Sequence, residues 1–230
     1  MITDQITVIV PSWNYGMFLR ECLDSILAQT IKPKKIIVAN DASTDNTAEI
    51  ATEYMHRIGN GEFGDEILFQ LITNDTRLGT IANENKAAES VETPWMFFLD
   101  ADDKIDSTYI EKILEKIRQH DDGRLAIVYS DMLKFGNWSG VWVTSDWDDG
   151  ALRRGNYING HSAVRVDLFR QVGGLKDTHG FEDHQLWVDI LDLNGGYYGR
   201  RIPEPLVWYR RHDFGHRTDR TDVEKREGIK

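Results

Sequence analysis

Apolar runs alternate with helical stripes through the first half of the chain. Residues 6–10, ITVIV, form an uninterrupted apolar run suited to a buried strand. Behind it, Phe18, Leu19, Cys22, Leu23, Ile26 and Leu27 recur at the spacing of one helix face. KIIVAN (35–40) predicts a second strand. A helix is predicted after DASTDNT, where Asn46 and Glu49 fit a capping pair. ILFQLI (67–72) predicts a third strand, with a polar helix near 80–91 after it. WMFFL (95–99) predicts a fourth, and Ser107 is placed to cap a helix over 108–119. Strands that are apolar almost throughout, alternating with helices, predict an α/β fold with a mostly parallel sheet covered on both faces.

After LAIVYSD (125–131) the rhythm changes. Residues 132–180 are rich in Trp, Gly and Asp and carry only short periodic pieces. A helix is predicted from about 182 to 193, followed by the apolar pieces YYGRRI and LVWYRRH. There is no internal repeat and no linker, so one domain over 1–230 is expected. Its first half would be 1–103 and its second half 104–230, ending in a basic tail from Arg210 to Arg220.

Composition narrows the function. A net charge of -11 over 230 residues disfavours a nucleic-acid backbone as partner. A small anionic ligand would need local cations or a metal. Cys22 is the one cysteine, so no internal disulfide is expected and a reducing compartment is the default. The first residues show neither a basic start nor a long apolar stretch, and no window is long enough to span a membrane. The expected location is the cytoplasm, with the inner membrane face as the alternative.

Three predicted strands end in polar clusters: Pro11-Ser12-Trp13-Asn14, Asp41, and Asp100-Ala101-Asp102-Asp103. In an open parallel sheet the carboxyl ends of the strands line one crevice, where ligands bind. Taken alone, Asp41 reads as a turn residue and the acidic triplet as a solvated turn. Taken together they offer oxygen ligands of the kind Mg²⁺ or Mn²⁺ prefers, beside a nucleotide pocket. A cation would also relieve the repulsion among three carboxylates, so the loop is expected to be poorly ordered without a cation and a diphosphate.

GNGEFG (59–64) matches a dinucleotide fingerprint, but a helix precedes it and a strand follows, which is the wrong context. In GFEDHQLWVDIL (180–191), Asp183 shares a helical face with Leu186, Trp187 and Ile190, whereas Glu182 aligns with Gln185 and Asp189. Asp183 is therefore expected to lean inward and Glu182 outward. The bland reading makes both of them acids stabilised at a helix start. The functional reading makes Asp183 a general base. His179 and His184 are five apart and do not share a face as zinc ligands would.

These segments together resemble the family 2 glycosyltransferases of GT-A fold, in order and over nearly the whole chain. The resemblance rests on VIVPSWNYGMFLRECLDSILAQT, IIVANDASTDNT, NDTRLGTIANENKAAES, MFFLDADD, GGLKDTHGFEDHQLWVDI and VWYRRH. It implies a Rossmann-like nucleotide-binding half fused to an acceptor-binding half. The activity it implies is inverting transfer of a sugar from a nucleotide-diphosphate donor, with UDP expected, to a hydroxyl of a carbohydrate or lipid-linked acceptor. Such enzymes act in glycan or polysaccharide synthesis. Asp41 would read the base, and Pro11, Ser12, Trp13 and Asn14 would line the base and ribose pocket. Asp100, beside Ala101, would face the ribose or metal shell. Asp102 would ligate Mn²⁺ or Mg²⁺ on the diphosphate, with His212 as a further metal or pyrophosphate contact and Arg210 nearby. Asn85 joins the nucleotide set. Asn40 replaces a common acid of the family, and Glu84 stands where a basic residue is common, so Arg77 or Lys86 would contact phosphate. Asp183 would deprotonate the acceptor.

The rivals are weaker. A haloacid-dehalogenase-like phosphohydrolase also carries an apolar run before D-x-D, but on its first strand. A nucleotidyltransferase would need a Gly-rich basic loop that is missing here. A nucleotide-sugar or glycan-binding module without catalysis is the non-enzyme alternative. A second copy of the chain, as in a homodimer, is a further candidate partner. The histidine in NGHSAV, His161, lies either near the acceptor or in a structural role. Trp138, Trp142 and Trp147 serve either as sugar platforms or as core.

Overall fold

The computed structural model describes residues 6–64, 67–120 and 122–212. The first half follows the predicted alternation: β1 (Ile6–Ser12), α1 (Gly16–Leu27), β2 (Lys35–Asn40), α2 (Thr47–Gly59), β3 (Leu68–Thr73), α3 (Thr80–Glu89) and β4 (Trp95–Phe98). The second half contains β5 (Lys104–Ile105), α4 (Tyr109–His120), β6 (Leu125–Gly136), β7 (Gly140–Trp142), α5 (Asp149–Arg154), β8 (Ala163–Arg165), α6 (Val166–Gln171), α7 (Glu182–Asp192) and β9 (Tyr198–Arg211). The G-x-G-x-x-G segment lies between α2 and β3, which removes it as a nucleotide loop.

One sheet runs in the order β3-β2-β1-β4-β8-β6-β9-β5, with β7 paired to β6. Its first four strands are parallel. Antiparallel pairs at β8 then join them to the second half, where β6 and β9 run parallel. β1, β2 and β4 are buried along nearly their whole length. β3 is different: it is an edge strand of half-exposed residues, not the buried strand its composition suggested. Pro11 lies inside β1, but β4 pairs with β1 only as far as Ile9, so the missing N–H falls where the neighbour has ended.

The core forms two layers, one on each face of the sheet. Val8, Val10, Leu23, Ile36, Phe97 and Ile113 belong to the first. Ile9, Ile37, Met96, Ala126, Phe169 and Trp187 belong to the second. Neighbouring residues of β1, β2 and β4 thus feed opposite layers, as the two-residue period of a strand requires.

The two expected helix caps are not the ones used. The Asn46 side chain makes no capping bond. The Asp45 carboxylate takes that role, with Oδ1 accepting from Thr47 N and Oγ1 and Oδ2 accepting from Gly16 N at 2.9 Å. Likewise, Asp106 rather than Ser107 accepts from Thr108 N and Oγ1. A carboxylate can accept several bonds at once and favours the positive end of a helix, which gives Asp the advantage.

Candidate active site

The carboxyl ends of the parallel strands β1, β2 and β4 lie at one edge of the sheet, and the loops after β1 and β2 are bonded to each other. Asn14 Oδ1 accepts from Thr44 N at 2.8 Å, and Asn14 N donates to Ser43 Oγ at 3.0 Å. Gly16 lies so close to the second loop that a Cβ there would meet Asn46 Oδ1 at 2.1 Å and Thr47 N at 3.0 Å, so a larger residue would force the Asn46 side chain away. At the lip, the Arg77 guanidinium stacks on the exposed Trp13 ring, 3.3 Å from its centroid. Among the described residues, Ser12 Oγ is buried without a hydrogen-bond partner. Such a group is costly unless a ligand or water completes it.

Asp41 is buried beneath this lip. Its Oδ1 accepts from Asn74 Nδ2 at 2.9 Å and Leu78 N at 2.7 Å, and its Oδ2 from Gly79 N at 2.8 Å. Asn74 continues to Asn83 and to Lys86 Nζ. Asp41 therefore fixes the loop between β3 and α3, and that loop carries Arg77. Sequence reasoning missed Asn74 and Asn83, whose roles depend on partners brought together by the sheet.

Asn85 is placed elsewhere. Its Nδ2 donates to Leu175 O at 2.8 Å, and its Oδ1 accepts from Leu175 N at 2.9 Å. The amide mimics a strand neighbour and clamps α3 to the loop after α6. Gly174 makes the approach possible: its φ is +78°, and a Cβ there would meet Asn85 Oδ1 at 2.5 Å. A side chain expected at the nucleotide is thus committed to the scaffold.

The acidic loop after β4 is braced from within the chain. Asp102 Oδ2 lies 2.9 Å from His212 Nε2, and Asp102 O accepts from Arg210 Nε at 2.7 Å. Arg210 also pairs with Glu21, and His212 stacks on Phe18 at 5.0 Å between centroids. Asp103 is fully buried, accepting from Arg210 N at 2.7 Å on Oδ1 and facing His161 Nε2 at 2.8 Å on Oδ2. His161 Nδ1 lies 3.1 Å from Phe98 O. Much of the repulsion that suggested a poorly ordered loop is therefore met by two histidines and an arginine. Among the described residues, the Asp100 carboxylate makes no hydrogen bond or ion pair.

Electrostatics separate these groups. Burial, together with the charges of Asp103 and Asp100, pushes Asp102 up to about 7 against the pull of His212. Burial alone would lower His161, but the hydrogen bond and charge of Asp103 win and raise it to about 9. Both neighbours of the imidazole are acceptors, which requires N–H on both nitrogens, so His161 is the cation of a buried pair. Among the described residues, one group of three has its ligand atoms close enough to share a metal ion. Asp100, Asp103 and His161 hold ligand atoms within 4.8 Å of one another. In that set, however, both imidazole nitrogens of His161 are already engaged and Asp103 accepts two bonds. Asp102 Oδ2 faces His212 Nε2 in the same acidic, charge-strained loop, and oxygen donors of this kind suit Mg²⁺ or Mn²⁺.

Asp183 lies in the first turn of α7. Its Oδ1 accepts from His184 N at 2.7 Å and its Oδ2 from Asn156 Nδ2 at 2.9 Å. Burial raises its pKa, and these two bonds oppose the rise. The expected facing of the two acids is reversed: Glu182 is buried, and Asp183 is the more open one. His161 proves structural, as do Trp142 and Trp147, which pack against the two core layers. Trp138 is exposed. Of the basic tail, Arg210 and His212 are placed at the acidic loop, Arg211 lies over Trp138, and Asp213 onward lies outside the described residues.

Comparison with known proteins agrees with this architecture. The family model for glycosyl transferase family 2 matches residues 7–172. Glycosyltransferase GlyA of Streptococcus pneumoniae is 36% identical over 120 residues, covering 52% of this chain and 16% of GlyA. The structure of S. aureus TarS in complex with UDP-GlcNAc superposes with a TM-score of 0.75 at 18% identity, covering 93% of this chain and 60% of that one. A mannosyltransferase from Pyrobaculum calidifontis, in complex with GDP-Man and Mn²⁺, gives a TM-score of 0.67 at 19% identity, covering 92% of this chain and 58% of that one. The chain thus spans less than two thirds of each of these relatives. The two solved structures share the GT-A fold with it, and no helix among the described residues is long and apolar enough to cross a membrane. With more than half its length matched by the family model, the chain belongs to glycosyl transferase family 2.

Proposed function

We propose that this chain transfers a sugar from a nucleotide-diphosphate donor, a UDP-sugar in the first instance, to an acceptor hydroxyl with inversion, in glycan or polysaccharide synthesis. One observation carries the reading. Adjacent residues of one short segment touch the two chemical centres. Gly160 lies where a Cβ would be 3.7 Å from Asp183 Oδ2, and His161 Nε2 faces Asp103 Oδ2 at 2.8 Å. These contacts support a reading in which the candidate base and the acidic loop serve one site, together with Asp41 and Ser12.

In this account the base end of the donor lies in the pocket walled by Pro11, Ser12, Trp13 and Asn14 and floored by Asp41. Ser12 Oγ gains the partner it lacks among the described residues. Arg77, on the loop that Asp41 fixes, and Lys86 supply positive charge toward the phosphates. Asp102 and His212 would hold a divalent cation, with Asp100 in its outer shell; when bound, that cation offsets the charge of the diphosphate leaving group. Asp183 takes the proton of the acceptor hydroxyl as its oxygen bonds to the anomeric carbon. The bond from that carbon to the diphosphate breaks, its electron pair leaving with the nucleotide. Attack from the opposite face needs one base, unlike the two carboxylates of a glycosidase. The complexes of TarS with UDP-GlcNAc and of the mannosyltransferase with GDP-Man and Mn²⁺ support the donor and metal classes.

Calorimetry with UDP tests the donor site. Binding is expected in Mn²⁺, weaker by about tenfold or more in EDTA. Asp102→Asn should lose the Mn²⁺ dependence. UDP binding insensitive to both changes would overturn the metal assignment. Tight UDP binding without nucleotide release from any donor would favour a binding module.

A further inference from the structure

Asp183 is held from outside its own helix by a segment that no motif marked. This strap, residues 156–161, leaves α5 and runs to β8. At its start, Asn156 Nδ2 donates to Asp183 Oδ2 at 2.9 Å. The orientation of that amide is fixed, because Asn156 Oδ1 accepts from Ile158 N at 3.0 Å, so the NH₂ must face the carboxylate. The middle of the strap is anchored through Asn159. Its Nδ2 donates to Ser130 O at 2.8 Å, and its Oδ1 accepts from His161 N at 3.0 Å. At its end, His161 is bound to Asp103 and Phe98 O. Few residues thus separate the group that holds the base from the group that holds the acidic loop.

We propose that Asn156 is a positioning residue for the Asp183 carboxylate, registering the base against the donor side of the site through the strap. The proposal rests on Asp183 acting as the base. With Oδ2 tied to Asn156 and Oδ1 tied to the helix backbone, rotation of the carboxylate is restrained at both oxygens. One lone pair on each oxygen is left for an acceptor hydroxyl. The Asn156 donor also favours the ionised carboxylate, which a base needs, and burial works against it. A purely structural role fits less well. Asn156 is exposed, and its removal opens no buried cavity.

The test is a ¹³C-carboxyl NMR titration of the full chain, with Asp183 assigned by the resonance lost in Asp183→Asn. In Asn156→Ala the Asp183 titration should move to higher pH. In Asn156→Asp it should move further, because a second carboxylate then faces the first. Thermal midpoints should stay close to wild type. With the UDP-sugar that the wild type turns over, Asn156→Ala should lower kcat roughly 10–100-fold, from loss of one hydrogen bond to a charged group. The donor KM should change less than about twofold, and the acid limb of the pH profile should shift with the NMR value. An Asp183 titration and a kcat both unmoved by Asn156→Ala, with Asp183→Asn inactive, would overturn the role of Asn156 alone. An Asp183→Asn variant that transfers normally would overturn the base assignment and this proposal with it.

Discussion

Replacing His161 with leucine removes the cation that faces a fully buried carboxylate. The His161 side chain is 7% exposed and that of Asp103 is 0%. In the variant, Asp103 keeps the Arg210 backbone N–H but loses the imidazolium at 2.8 Å, and Phe98 O loses its donor. Breaking one half of a buried pair costs about 3–5 kcal/mol, a large share of a total stability of about 5–15 kcal/mol. Against the burial that lowers it, Asp103 raises the His161 pKa to about 9, so the contribution of the imidazolium is lost as pH increases through about 9. Burial raises Asp103 as well, which takes back part of that contribution as pH falls.

Urea unfolding at pH 7, followed by the fluorescence of the seven tryptophans, measures the loss. With a slope of about 3 kcal/mol per molar, the midpoint should fall by roughly 1–2 M. Adding Asp103→Asn to His161→Leu should recover part of the loss, because the stranded charge is gone. A midpoint within about 0.3 M of wild type, or losses that simply add, would refute the buried ion pair.

Asp183→Asn should lower transfer by about 10²–10⁴-fold without loss of stability, because a half-buried carboxylate with a raised pKa costs stability when ionised. For the wild type, kcat/KM should fall as pH drops through the raised Asp183 value, giving an acid limb above the ordinary carboxylate range. Asp41→Ala strands three donors, from Asn74, Leu78 and Gly79; at about 1–3 kcal/mol for each buried group, thermal unfolding should show a loss of about 3 kcal/mol or more, and calorimetry should show weakened UDP binding. Phe97→Ala empties the centre of β4, where the ring is fully buried edge-on to Tyr109 at 5.4 Å, and should cost about 3–5 kcal/mol in denaturant melts.

The first half of the fold was legible because β1, β2 and β4 are buried on both faces, which writes them as apolar runs. The second half was not, and β9 shows why. Pro203 and Pro205 break its pattern into two pieces. The chain continues past them by shifting register opposite Asp131, and both prolines are exposed, so one strand results. The acids of α7 show a different limit. Glu182 lies four residues before Leu186, and Asp183 four before Trp187, so both flank the same buried stripe. Helical spacing cannot say which side another segment covers; the Asn156–His161 strap lies against Asp183, and its course is set by distant partners. The convergence of Asp41 with the acidic triplet was readable, because strand ends in a parallel sheet share one edge. The bond from Asn85 to Leu175 was not readable, since the two residues are 90 apart in sequence.

The central claim is that Asp183 acts as the base in a transfer from a nucleotide-sugar donor. Nucleotide release from a panel of UDP-sugars, with Mn²⁺ and simple sugar acceptors, tests it when wild type and Asp183→Asn are compared at matched UDP binding. The account predicts that the wild type consumes at least one donor and that the variant binds UDP equally but is slower by about 10²–10⁴-fold. Equal turnover by the two proteins, or release from no donor while UDP binds tightly to both, would contradict it.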